Sequence, residues 1–300
     1  SRGLGDVYKR QGTSIASAAA FTRIAWPEMK KAGYNHSFAL GAISGSACLG
    51  MLIPPSVLLI VWGIITEDSI GKLFVAGVIP GILLALLYVT YNLVRAIMKP
   101  ELAPEPDKVG LTTKLTKTEI YSGFSIIALI FLVLGGIWGG IFTATEAAGM
   151  GAIASFIIAL CKGMNFKGVV DSVIDAGKTS APIMILLITA GMYSRFLSLS
   201  DINSIILEAI TSVGLNQFAI LIMMVVIWLV LGMLLDSISI ILLTVPLFIH
   251  LVPEMNPYAF AIFGILAIEA GLLTPPFGLI VYTVKGAVSY THLTLPTTLV

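Results

Sequence analysis

The chain has 300 residues, of which 57% are hydrophobic and 11% charged, with a mean hydropathy of +1.00 and a formal net charge of +1. Ordinary soluble domains carry about 25% charged residues, and a chain this poor in polar side chains cannot cover a core of its own size in water. A soluble enzyme and a bulk nucleic-acid binder are thereby excluded in favour of an all-α polytopic membrane protein, while Cys48, Cys161 and three scattered histidines give neither a disulfide framework nor metal-ligand spacing.

Residues 1–11 are polar, carry no signal-peptide core, and read as a non-native tail. The first apolar element, Ser14–Met29, reads as the second leg of a hairpin whose first leg is missing. Phe38–Ile65 is long enough to cross a bilayer but is interrupted by Gly50-Met-Leu-Ile-Pro-Pro55. Residues 12–65 thus form one unit. Leu73–Met98, Ile120–Trp138, Ile141–Cys161 and Ala181–Leu199 meet the span length without interruption. With the charged linker 99–117 and two amphipathic segments (Phe166–Ile174 and Ile202–Val213), they make a second unit, 66–213. Such segments are expected along the membrane surface or as struts beside the bundle. A third unit, 214–287, pairs Phe218–Val252, broken at Asp236-Ser237, with Tyr258–Val284, broken at Gly271-Leu-Leu-Thr-Pro-Pro276. A helix end is predicted at Lys285–Gly286, and residues 288–300 read as a second non-native tail.

Two motifs recur in the same order. Trp26-Pro-Glu-Met29 precedes the Gly50–Pro55 break, and Val252-Pro-Glu-Met255 precedes the Gly271–Pro276 break. If both hairpins are re-entrant, counting crossings puts Lys30, Lys31, Arg95, Lys99, the linker lysines, Lys162, Lys167, Lys178 and Lys285 on one side. Only Lys72 and Arg195 fall near helix ends on the other. The positive-inside rule makes the first side cytoplasmic. The two copies are then inverted relative to each other, as in many secondary transporters.

A Gly-x-x-x-Pro-Pro run cannot stay helical, because proline removes a donor and clashes with the preceding turn. Backbone freed at membrane depth is tolerated only in protein, in a watery cavity or on a ligand. Carbonyls with nearby hydroxyls suit a hard cation such as Na⁺, and helix N-termini at the same break favour an anion. Asp236, at the hairpin tip, reads either as an ion ligand or as the N-cap of the following leg. Glu269 reads either as a functional acid or as a hydrogen bond between packed helices. Glu146, after Thr143, has the signature of a helix start and reads as structural. No Gly-rich phosphate loop follows a strand, so the chain is read as no enzyme, with no cofactor beyond a coupling ion.

Gly12-Thr-Ser-Ile-Ala-Ser17, Pro27-Glu-Met29, Leu49–Ser56, Gly140–Ala148, the Asp236 hairpin and Ile268–Gly278 together resemble the large membrane subunit (DctM component) of tripartite ATP-independent periplasmic transporters. The resemblance implies an elevator-type fold and a sodium-driven importer of organic acid anions such as dicarboxylates, in the bacterial inner membrane. Its partners would be a small membrane subunit (DctQ-like) and a periplasmic substrate-binding protein (DctP-like). It places one sodium site near Ser14 and Gly50–Pro54, and the other near Asp236, Gly271 and Thr274. The anion would lie between them, near Thr13, Ser56 and Ser237, with Pro55 and Pro276. The chain departs from the family pattern at Ala47-Cys48, Ala144, Ala267 and Ile280. A stand-alone divalent-anion/sodium symporter is the alternative. An intramembrane aspartyl protease would need two facing acids, and only Asp236 and Glu269 are deep.

Overall fold

The computed structural model describes residues 13–104, 116–212, 214–276 and 278–293, and among them every regular element is helical. In chain order they are α1 (Thr13–Lys31), α2 (His36–Leu52), α3 (Val57–Thr66), α4 (Ile70–Met98), α5 (Lys117–Trp138), α6 (Ala144–Cys161), α7 (Phe166–Leu199), α8 (Ile202–Ser212), α9 (Gln217–Gly232), α10 (Ser237–Phe248), α11 (Pro257–Leu273) and α12 (Leu279–Leu293). Short 3₁₀ turns follow α4 and α10. The tail 1–11 and most of the charged linker lie outside the described residues.

Both expected interruptions occur. Asn35 caps α2, accepting from the amides of Ser37 and Phe38, and α2 runs 17 residues before Ile53 turns extended. Asn256 caps α11, accepting from Tyr258 and Ala259, and α11 also runs 17 residues before Thr274 turns extended. Asn35–Gly50 and Asn256–Gly271 are equally spaced, so the two helices share a register from cap to break. A cis Pro-Pro bond lies in each break, at Pro54–Pro55 and Pro275–Pro276. The third interruption separates α9 from α10 at residues 233–236.

Two boundaries differ from the sequence reading. The amphipathic segment at Phe166 does not lie apart from the Ala181–Leu199 span: α7 is one helix of 34 residues, with Pro182 inside it. The residues between the two segments hold no strong breaker, since Gly177 costs only about 1 kcal/mol in a helix. At 1.5 Å per residue α7 is about 50 Å long, against about 30 Å of hydrocarbon. Its Lys167–Lys178 end therefore has length to spare beyond the bilayer core. Likewise α12 does not stop at Lys285–Gly286 but continues to Leu293. Gly286 lacks the left-handed conformation that ends helices, and the next proline is Pro296.

Burial sorts the helices. The α2–α3 element has 56% of its apolar window buried, whereas α6 and α7 have 11% each. The outer helices turn Ile79, Phe131, Ile153 and Met192 outward, as lipid-facing surfaces do. At the centre Trp62 meets Phe260 edge-on with centroids 5.5 Å apart, and Trp228 packs on Phe248, Phe260 and Phe263 at 5.3–5.9 Å. Trp228 Nε1 donates to Thr244 Oγ1 at 2.8 Å, joining α9 to α10 without leaving the indole unsatisfied. Gly264 lies between the two tryptophans: a Cβ there would sit 2.6 Å from Trp62 and 3.1 Å from Trp228. The packing also crosses between the two halves. Helix α1 packs on α2 and α12, and α10 packs on α11 and α3.

Candidate functional site

The second break is built by close backbone approach. Gly232, at the end of α9, and Gly271, near the end of α11, face each other so closely that a Cβ on Gly271 would lie 2.9 Å from Gly232 Cα and from Trp228 O. Small residues at such crossings let membrane helices approach backbone to backbone. The chain then turns through Met233–Leu235 into Asp236. Asp236 is the N-cap of α10: its Oδ2 accepts from the Ser239 amide at 3.1 Å, and its Oδ1 accepts from Ser239 Oγ at 2.5 Å. Of the two readings of Asp236, the structure displays the cap.

Next along the chain, Ser237 is buried and its hydroxyl donates to Glu269 Oε1 at 2.6 Å. Glu269 is itself buried, on α11 two residues before Gly271. Its backbone oxygen accepts from Cys48 Sγ at 3.9 Å. Cys48 lies two residues before Gly50, so Cys48 and Glu269 hold matching places in the two broken helices. The first turn of α10, the second broken helix and the first broken helix thus meet at Glu269, α10 at its carboxylate and α2 at its backbone carbonyl. Beyond Gly271, Thr274 is half-buried; its hydroxyl donates to Ala270 O at 2.7 Å and its amide to Gly271 O at 2.9 Å. Pro276 is exposed.

The first break is arranged differently. Gly50 is exposed, and a Cβ there would meet nothing within 4 Å among the described residues. Pro54 is buried and Pro55 exposed. Ser56 is buried; its hydroxyl donates to Met51 O and accepts from the Leu59 amide at 3.3 Å, capping α3. The break rests on α4, where a Cβ on Gly77 would lie 2.8 Å from Leu52 O and one on Gly81 2.8 Å from Ile53. Thr13 and Ser14 open α1, but their side chains lie outside the described residues.

Glu146 stands apart from both breaks. It is exposed and closes a capping box with Thr143: the Thr143 amide donates to Glu146 Oε2 at 2.8 Å, and the Glu146 amide to Thr143 Oγ1 at 3.3 Å. That is the helix start its sequence announced. Sequence reasoning passed over the Asn35 and Asn256 caps, which an asparagine ahead of an apolar run could have signalled. It also passed over Gly232 and the Cys48–Glu269 contact, which carry no local signal.

Sequence comparison with known proteins finds relatives over most of the chain. The family model described as "Tripartite ATP-independent periplasmic transporter, DctM component" matches residues 11–297. A C4-dicarboxylate TRAP transporter large permease protein of Pseudomonas aeruginosa is 32% identical over 272 residues, covering 89% of this chain and 63% of the relative. An ectoine TRAP transporter large permease protein of Halomonas elongata is 30% identical, covering 91% and 64%. An isethionate TRAP transporter permease protein, DctMQ, of Oleidesulfovibrio alaskensis is 27% identical, covering 92% and 44%. The chain spans less than two thirds of the length of each of these three relatives.

Proposed function

The chain belongs to the DctM component family of tripartite ATP-independent periplasmic transporters, and from that membership we propose that it is part of a permease that imports small organic acid anions on a sodium gradient. In this reading Na⁺ binds at two places. One is near Ser14 and the Gly50–Pro54 break, the other near Asp236, Gly271 and Thr274. The anion lies between them, near Thr13, Ser56 and Ser237, with Pro55 and Pro276 shaping the breaks. A small membrane subunit and a periplasmic binding protein complete the machine in the bacterial inner membrane.

The observation that carries the reading is the pair of matched broken helices. Two 17-residue helices with the same cap and register each give way to extended backbone ahead of a Pro-Pro pair. Freed carbonyls at membrane depth are the usual material of cation sites in secondary transporters. The exchange of partners, α1 on α12 and α10 on α3, is what a two-fold relation between the halves would produce. Helices α9 and α10, at 16 and 12 residues, are each too short for about 30 Å of hydrocarbon, in keeping with a re-entrant hairpin. The bare face at Gly50 is where a preceding helix would lie if the first half repeats the α9–α11 crossing. Sliding of hairpins and broken helices against the outer spans would then move the site across the membrane.

The test is uptake by the complete permease, reconstituted with its small subunit and binding protein, of a radiolabelled C4-dicarboxylate under an inward sodium gradient. Uptake that needs both the gradient and the binding protein is the expected result. Uptake indifferent to sodium would refute the coupling. Sodium-driven uptake without the binding protein would favour the stand-alone symporter. On the family resemblance, selectivity among solutes is assigned to the binding protein rather than to these helices.

A further inference from the structure

The sodium-coupled reading gives Asp236 and the breaks their tasks but leaves the buried acid beside them without one. Glu269 lies where three elements meet: α11, the first turn of α10 through Ser237, and α2 through Cys48. A carboxyl group is costly at this depth, and a structure that needed only packing would place an apolar side chain there. Its matching position in the first half is Cys48, which has no comparable acceptor. The hydroxyl it receives belongs to the residue next to the Asp236 cap, so the bond fixes the α9–α10 tip relative to the Gly271 break.

We propose that Glu269 is a positioning residue: by accepting the Ser237 hydroxyl it pins the α9–α10 hairpin tip to the second broken helix, and release of this pin accompanies opening of the hairpin. The proposal rests on the reading of that hairpin as a sodium-responsive gate. Glu269 has to touch neither Na⁺ nor the anion. The pin acts by keeping Asp236 and the Gly271–Thr274 backbone in register, a task that needs an acceptor at Oε1 rather than a negative charge.

The experiment uses the complete permease with Cys161→Ala, the exposed native thiol, and a reporter Ile238→Cys. Ile238 is 1% exposed on the first turn of α10, so a maleimide reaches it only when the tip opens. Labelling is timed with and without sodium in five backgrounds: parent, Glu269→Gln, Glu269→Ala, Ser237→Ala and the Glu269→Ala/Ser237→Ala double variant. Gln keeps the acceptor oxygen and is expected to label within about twofold of the parent, whereas the two alanine variants are expected to label about tenfold faster, the worth of one buried hydrogen bond. The Glu269→Ala/Ser237→Ala double variant should label no faster than either single, since both remove the same bond. A Glu269→Gln variant as fast as Glu269→Ala, a Ser237→Ala variant as slow as the parent, or a double variant at the product of the two singles overturns the pin. A parent whose labelling ignores sodium while the alanine variants still label faster would refute the sodium gate and leave the pin standing. Glu269→Gln and Ser237→Ala keep the test decisive if Glu269→Ala fails to fold.

Discussion

Alanine at Gly271 and alanine at Gly50 are the same change at matching places, and the structure requires opposite outcomes. At Gly271 the new Cβ would lie 2.9 Å from Gly232 Cα and Trp228 O and 3.0 Å from Leu229 O. Nonbonded carbons rest about 3.5–4.0 Å apart, so α9 and α11 must part by several tenths of an ångström. The atoms met are backbone, which cannot rotate away. Overpacking of this kind costs about 1–3 kcal/mol, and alanine's better helix propensity returns up to about 1 kcal/mol. The net expectation is a loss of about 1–2 kcal/mol. At Gly50 nothing among the described residues lies within 4 Å, so only the propensity gain remains, reduced because Gly50 sits in the last turn of α2. The assay is thermal unfolding of the purified chain in detergent, followed by tryptophan fluorescence, with Trp62 and Trp228 in the core as reporters. Gly271→Ala should lower the midpoint, and Gly50→Ala should leave it unchanged or raise it. A Gly271→Ala protein as stable as its parent would refute the claim that this crossing is sterically closed. In the complete permease, a preceding helix packed on Gly50 would make Gly50→Ala destabilising as well. If it stays neutral there, the proposed first hairpin leg does not cover that face.

Asp236→Asn in the complete permease should raise the sodium concentration for half-maximal uptake by about tenfold or more, because a unit charge near a cation at an effective dielectric of about 20 is worth more than that factor. Asparagine caps helices as well as aspartate, so stability should barely change, and an unaltered sodium dependence would remove Asp236 from the ion site. Thr143→Ala should cost about 1 kcal/mol through loss of the capping box, seen as a lower unfolding midpoint, with sodium activation unchanged; a shifted sodium dependence would contradict the structural role of Glu146. Cysteines placed singly in the linker 99–117 should react with an impermeant maleimide only from the cytoplasmic side, and labelling from the periplasmic side would invert the topology.

What could be read from the chain itself was local. Gly-x-x-x-Pro-Pro stops a helix by its own chemistry, so both breaks were legible at Gly50–Pro55 and Gly271–Pro276, and the Thr143–Glu146 capping box needs only four consecutive residues. Composition required helices, and the motif set pointed to the family before any contact was known. The continuity of α7 was not legible. A change from amphipathic to uniformly apolar patterning looks like a boundary, yet it contains no group that ends a helix. Contacts distant in sequence lay further out of reach. Ser237 and Glu269 are separated by a leg, a turn and most of a helix, and only the way α10 and α11 pack brings a hydroxyl within 2.6 Å of that carboxylate. The same holds for the two breaks. Their sequences are near copies, but one glycine faces the backbone of α9 and the other faces none of the described residues. Propensity and proline chemistry decide where a helix stops; which surface then covers the stop depends on neighbours that no local pattern encodes.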